Sequence, residues 1–174
     1  ADSTVKTRLI RLNSNAQPNI SIDSVWFSTA IHKPGDSEKL IVRLRNNSDE
    51  EAVNIPVKLQ VNKAQKAIAS MTIKPRSTET DTLNFSGLSS GWQEAELAIT
   101  DFPVVFDDKF YFSFNVQSSL SLLIINGKKE NEYLNSVYRS DPFFKVLNVS
   151  AGNINYSGLS EHPMVILNEV AEIS

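Results

Sequence analysis

The chain has 174 residues, of which 41% are hydrophobic and 21% charged, and its net charge is −3. This charge argues against a nucleic-acid partner, because phosphate binding requires a basic face. The chain has no cysteine, which excludes disulfides, thiol nucleophiles and zinc sites built on thiolates. No apolar run approaches the length of about 18 residues that a membrane-spanning helix needs.

The first two thirds of the chain show a period-two alternation of apolar and polar residues. This is the pattern of strands with one buried and one solvated face. Turn residues such as Pro34 and Gly35 separate the segments. Seven such strands predict a mainly β fold, an immunoglobulin-like antiparallel β-sandwich over residues 18–117. The segments lie near residues 20–26, 40–45, 53–61, 67–73, 83–85, 95–99 and 110–116.

The pattern changes near residue 118. "LSLLIING" is almost continuously apolar, which is typical of a strand covered on both faces in a parallel sheet. "NEYLNSVYRS" carries one apolar helical stripe, and "DPFFKVLNVS" and "PMVILNEV" have the composition of further strands. The order predicts a partial α/β (βαββ) unit with parallel strands over residues 118–174. We expect residues 1–17 to be a tail or linker strand of an upstream domain, and the chain to be part of a longer protein.

Two carboxylates, Asp107 and Asp108, directly precede the aromatic run "KFYFSF", and Asp101 lies shortly before them. They could gather a calcium ion, which takes about six to eight oxygen ligands, usually in a loop that contains glycine. The segment "DFPVVFDDK" has no glycine and spaces its carboxylates poorly. We therefore expect no metal site here, but a polar turn at the solvated start of a strand whose Phe112 and Phe114 face the core.

The two tryptophans receive different interpretations. Trp26 shares a period-two stripe with Ile20 and Ile22, which predicts a core position. Trp92 lies on the stripe opposite the apolar residues of its strand, so it is a candidate for an exposed ligand or interaction surface, such as a sugar-stacking face. Asp107 and Asp108 are the other candidates for such a surface.

No group of residues in the sequence matches a known catalytic arrangement. Ser157 and His162 lack a nucleophile elbow and an acid to orient the histidine. "NGKKEN" holds one glycine and fits no phosphate-binding loop, although Asn131 could cap the following helix. We therefore predict no catalytic residue, no cofactor and no enzyme activity.

Several blocks in order, including "NISIDSVWF", "GDSEKLIVRLRNNSDE" and "ITDFPVVFDDKFYFSFNV", resemble the C-terminal part of the Bat aerotolerance-type family of membrane-anchored bacterial proteins. The resemblance covers roughly residues 5–174. It implies a cell-adhesion-related (CARDB-like) immunoglobulin fold, followed by the start of a flavodoxin- or glutamine-amidotransferase-like α/β domain. It also implies an extracytoplasmic, periplasmic position tethered to the inner membrane, and it supplies no catalytic residue.

The leading hypothesis is a non-enzymatic extracytoplasmic interaction or spacer module. Its partner would be another protein, a neighbouring domain of the same chain, or a second copy bound through the α/β piece. One alternative is a fragment of a ligand-binding or hydrolase-like α/β protein whose active residues lie beyond residue 174. Its ligand would then sit near residues 126–129 and 168–171, at the carboxyl ends of strands. A carbohydrate-binding module that uses Trp92 is the other alternative.

Overall fold

The computed structural model describes residue 10 and residues 17–172, so the predicted tail over residues 1–17 lies almost wholly outside the described residues. The described part contains ten strands, one α-helix and two short 3-10 helices. In chain order they are β1 (Ile20–Phe27), β2 (Glu38–Asn46), β3 (Ala52–Val61), β4 (Ala64–Ile73), β5 (Thr78–Phe85), β6 (Gly91–Ile99), β7 (Lys109–Val116), β8 (Leu120–Asn126), α1 (Glu132–Arg139), β9 (Phe144–Ser150), the 3-10 helices Ala151–Asn153 and Tyr156–Glu161, and β10 (Met164–Asn168). Among the described residues, no helix is both long and apolar enough to cross a membrane.

The first seven strands form two antiparallel sheets that enclose one apolar core. Their orders are β1-β2-β5 and β4-β3-β6-β7. Strand β2 shows why the sequence folds this way, since its residues alternate between buried and outward positions along most of its length. The predicted mainly β, immunoglobulin-like antiparallel fold is confirmed. The fully buried members of the core are Leu40, Val42, Leu44, Val57, Leu59, Ile73 and Leu97.

A β-bulge in β1 changes the facing of its second half. The register with β2 shifts between Ile22 and Ser24. A bulge adds one residue to one strand and so exchanges the inward and outward positions that follow it. The core position predicted for Trp26 is therefore wrong: its side chain is 42% exposed and lies against Arg43, whose guanidinium is 5.9 Å from the ring centroid. Phe27 takes the inward position instead.

Strand β7 contributes aromatic rings to the core, as its alternation predicts. Phe114 is buried, and Phe112 is partly buried against the same cluster. The ring centroid of Phe114 lies 4.7 Å from that of Phe27, and that of Phe112 lies 6.1 Å from it. Ser113, between the two, points to solvent.

The remaining strands form a parallel sheet with the order β10-β8-β9. Its central strand is β8, which explains why its sequence is apolar on both faces. Helix α1 connects β8 to β9 and is capped by Asn131, whose side chain accepts hydrogen bonds from the amides of Tyr133 and Leu134. The predicted parallel strands are confirmed.

The sandwich and the α/β unit are in direct contact. Residues 117–119 alone separate β7 from β8. The loop between β1 and β2 reaches the α/β unit through Lys33, which pairs with Asp141 and places its ammonium 4.5 Å from the ring centroid of Phe143. The amide of Gln117 donates to the carbonyl of His32 at 3.0 Å, which fixes the start of the connection.

Candidate functional site

The link between β6 and β7 carries the predicted acidic candidates and is anchored to β1. The Asp101 carboxylate accepts hydrogen bonds from the amides of Ile20 and Phe102. Because β1 and β6 belong to different sheets, Asp101 joins the two sheets at this end of the sandwich. Asp107 continues the connection, since its Oδ2 accepts a hydrogen bond from Nδ2 of Asn19 at 3.0 Å.

Asp108 is not at a solvated position, as the sequence suggested, but is buried with 9% of its surface exposed. Its Oδ2 accepts from the amide of Asp101 at 3.3 Å, and its own carbonyl accepts from Ile99 at 2.9 Å. Burial raises the pKa of the Asp108 carboxyl, the amide of Asp101 lowers it, and the negative charges of Asp101 and Asp107 raise it further. The fold therefore encloses this carboxylate instead of using it to solvate a turn.

Trp92 lies on the outer face of β6, opposite Asn115 of β7, and is 71% exposed. Its neighbour on the same face along β6 is Glu94. Tyr111, also exposed, pairs across with Glu96 and so lies four residues along β6 from Trp92. At roughly 3.4 Å per residue, these two rings are too far apart to stack on one sugar.

The carboxyl edge of the parallel sheet, where open α/β sheets bind ligands, is occupied by linked asparagines. Asn168 donates to Asn126 at 2.8 Å, and Asn126 donates to Asn148 at 3.0 Å. Asn148 then donates to Asn135 of α1 at 2.7 Å. The network joins all three strands to the helix. Its side-chain amides serve as hydrogen-bond donors and acceptors for one another. Sequence reasoning noted residues 126–129 and 168–171 but not this network.

A cleft of about 360 Å³ opens beside the network. Close packing beneath it requires glycine at position 127, because a Cβ there would lie 2.0 Å from the carbonyl oxygen of Glu169. The cleft is polar and of mixed charge. Its lining residues are Lys129, Glu130, Asn131, Glu132, Tyr133, Asn168 and Glu169.

The serine and histidine considered for hydrolysis have separate partners. Ser157 donates to Oδ1 of Asn155 at 2.7 Å, whereas Nδ1 of His162 lies 2.7 Å from Oγ of Ser121. Within residue 10 and residues 17–172, no three histidine, aspartate or glutamate side chains are arranged around a common metal position.

Sequence reasoning missed a buried polar pair, His32 and Glu38. Nδ1 of His32 lies 2.8 Å from Oε2 of Glu38, and both residues are buried. The imidazole packs edge-on against the ring of Phe27, with centroids 4.4 Å apart. The signal was present, because Glu38 shares the inward period-two positions of β2 with Leu40 and Val42.

One face of the parallel sheet is only partly covered. Helix α1 lies on the other face, as the bond between Asn148 and Asn135 shows. The residues Leu147, Val165 and Leu167, which we call the open sheet face, are 47%, 41% and 49% exposed. Beside them is an apolar cavity of about 220 Å³, lined by Ile125, Ile154, Tyr156, Leu159, Val165, Leu167 and Val170.

No protein-family model matches the chain, and no curated protein matches it significantly. Solved structures do match. The crystal structure of the CARDB domain of the PF1109 protein from Pyrococcus furiosus, in complex with di-metal ions, is 11% identical with a TM-score of 0.51. The match covers 60% of this chain and 97% of that one. The sandwich therefore has a CARDB-like immunoglobulin-like fold.

Two further matches cover a similar share of this chain. The solution structure of the same Pyrococcus furiosus domain is 10% identical with a TM-score of 0.50, covering 59% of this chain and 97% of that one. A cycloisomaltooligosaccharide glucanotransferase from Paenibacillus sp., complexed with cycloisomaltoheptaose, is 15% identical with a TM-score of 0.48, covering 67% of this chain and 17% of that one.

Proposed function

We propose that this chain is a non-enzymatic, extracytoplasmic interaction or spacer module of a membrane-anchored bacterial protein. The observation that carries the proposal is the open sheet face. Exposed apolar side chains that share one face of a sheet mark protein interaction sites. The face belongs to an α/β unit held against the sandwich by the Lys33–Asp141 pair and by a connection of three residues, 117–119. The sandwich would act as the rigid support that presents it.

The same observations support a division of the chain into three parts. We propose that residues 1–17 connect to an upstream segment, that residues 18–117 are the support, and that residues 118–174 are the interacting unit. The resemblance to the Bat aerotolerance-type proteins supports the membrane tether and the periplasmic location. It also agrees with the CARDB-like fold of the sandwich.

The asparagine network weighs against the alternative of a ligand-binding α/β edge. A binding site needs polar groups that are free to exchange water for ligand, whereas these amides bond to each other. The distance between Trp92 and Tyr111 weighs against a sugar-stacking platform, because one sugar could not contact both rings.

Self-association through the open sheet face tests this proposal. In sedimentation velocity, we expect the intact chain to shift from monomer towards dimer as its concentration rises through the micromolar range, because the exposed apolar side chains pair with those of a second copy. Replacing Leu167 by glutamate should keep the chain monomeric, because a charge would then be buried unpaired in the contact.

The matched control is Ile68→Glu, which places the same charge on an exposed apolar position of β4 in the sandwich. It should leave the dimer unchanged. A chain that stays monomeric at every concentration would contradict the proposal. Equal loss of the dimer in both variants would also contradict it, because the contact would then lie outside the open sheet face.

A further inference from the structure

Three side-chain oxygen atoms are enclosed and accept no hydrogen bond; two belong to the β6–β7 link and one to Asn19, which donates to that link. They are the Oδ1 atoms of Asn19, Asp107 and Asp108, and among the described residues they are the buried side-chain polar atoms left without a partner. Nearly all buried polar atoms in proteins are paired, and leaving one unpaired costs about 1–3 kcal/mol. Three unpaired acceptors in one place require a common explanation.

Hydrogen bonds hold the three residues at the same end of the sandwich, since Asp101, which donates to Asp108, also accepts from Ile20, the neighbour of Asn19. Asn19 donates to Asp107 through Nδ2 at 3.0 Å, which directs its amide group at that carboxylate. Asp108 is adjacent in sequence, is more than nine-tenths buried, and is joined to Asp101 by a hydrogen bond at 3.3 Å. All three free oxygens are acceptors, so none can satisfy another while the carboxylates are ionised.

The cluster also lacks a compensating charge. Among the described residues, no ion pair joins Asp101, Asp107 or Asp108 to a lysine, arginine or histidine. Lys109 is the nearest cation in sequence, but its ammonium pairs with Glu96 at 2.9 Å. A buried carboxylate needs a cationic partner or a metal ion to offset its desolvation.

We propose that the Oδ1 atoms of Asn19, Asp107 and Asp108 bind a divalent cation of the calcium class. The donors are hard oxygens, which favour calcium over the softer transition metals. Three protein oxygens leave room for water and backbone carbonyls within calcium's coordination of about six to eight. Such a partial ligand set places the affinity in the range of about 10⁻⁴ to 10⁻³ M that is typical of extracellular modules.

The cation would connect the two sheets of the sandwich. Asn19 directly precedes β1, whereas Asp107 and Asp108 directly precede β7 in the other sheet. Binding would therefore stabilise the end of the sandwich where Asp101 already holds the amide of Ile20. This proposal replaces the sequence-based expectation that the sandwich has no metal site. That expectation counted only nearby ligands, and Asn19 lies 88 positions from Asp107.

The test uses the whole chain, freed of metal with a chelator and then melted with and without calcium chloride at matched ionic strength. About 10 mM calcium should raise the melting temperature by roughly 5 °C, because a ligand that binds only the native state stabilises it by mass action. Calorimetric titration with calcium chloride should give a dissociation constant within the range above. Magnesium should act more weakly, because it requires near-ideal octahedral geometry.

The variant Asp107→Asn tests whether Asp107 is a cation ligand or a carboxylate with a structural role alone. The amide keeps the shape and can still accept from Asn19, but it removes one charged donor. We expect at least about tenfold weaker calcium binding, together with unchanged or higher stability in chelator, since a repulsive charge is lost. The control Asp81→Asn, at an exposed position of β5, should keep the full response to calcium.

Two outcomes would overturn the proposal. One is a set of melts that superimpose in calcium and chelator, with no heat of binding. The other is a calcium response that Asp107→Asn retains in full, since the ion would then bind elsewhere.

Discussion

Replacing Phe114 by alanine should lower the free energy of unfolding by about 3–5 kcal/mol, as measured for buried aromatic residues. Its side chain is 7% exposed and packs on Phe27 with centroids 4.7 Å apart, and on His32 at 5.2 Å. Truncation would leave a cavity between the two sheets that these rings cannot fill without leaving their own contacts. Urea denaturation of the two proteins at equal concentration measures the difference.

Ser113→Ala is the matched control, because Ser113 lies on the same strand and points to solvent. It should change the free energy of unfolding by less than about 0.5 kcal/mol. Phe112→Ala should fall between the two, since Phe112 is only partly buried against the core. Equal small losses at Phe114 and Ser113 would show that the facing of β7 is wrong.

Glu38→Ala should lower the free energy of unfolding by about 1–3 kcal/mol, the cost of leaving a buried polar group without its hydrogen-bond partner. The imidazole of His32 would lose the carboxylate oxygen at 2.8 Å and remain enclosed among Phe27 and Phe114. Because the His32 carbonyl accepts from Gln117, the loss should also loosen the start of the α/β unit. Chemical denaturation followed by tryptophan fluorescence gives the stability change.

Glu79→Ala provides the comparison, because it removes the same side chain from an exposed position of β5. Its effect should stay within about 0.5 kcal/mol. Glu38→Gln keeps a hydrogen-bond acceptor beside His32 and should recover part of the stability. If Glu38→Ala were no more damaging than Glu79→Ala, the buried pair would have no structural importance.

The strands were predictable from the sequence because alternation reports burial directly. Strand β2 places Leu40, Val42 and Leu44 inward without interruption, and β8 is apolar throughout because it lies at the centre of a parallel sheet. Both features are local to a single strand, so no long-range information was needed to infer them.

The facing of Trp26 was not predictable, because a bulge leaves no mark on composition. The register shift after Ile22 moves one residue out of the pairing and exchanges the positions that follow. A stripe extrapolated from Ile20 and Ile22 therefore reaches Trp26, whereas the chain presents Phe27 to the core. Register depends on the partner strand, which alternation within one segment cannot reveal.

The candidate sites were partly predictable. Asp107, Asp108 and Trp92 were singled out as candidates for a ligand or interaction surface, and that role stays a prediction. The burial of Asp108 was not predictable, because it depends on how the β6–β7 link folds back on Asp101 and on the contact that Asn19, from a distant part of the chain, makes with Asp107. The open sheet face was anticipated only through the expectation that a second copy could bind through the α/β piece. The sequence of β10 is apolar, yet which of its side chains remains exposed depends on where helix α1 and the 3-10 helices lie.

The central claim is that the open sheet face binds protein, and a single introduced thiol tests it directly. The chain has no cysteine, so Leu167→Cys carries the only thiol. Its reaction rate with a maleimide should fall several-fold as the protein is raised from about 2 µM to about 200 µM, because association buries the side chain. Ser113→Cys, on the exposed face of β7, should react at a constant rate. A Leu167→Cys rate that does not change with concentration would contradict self-association through this face.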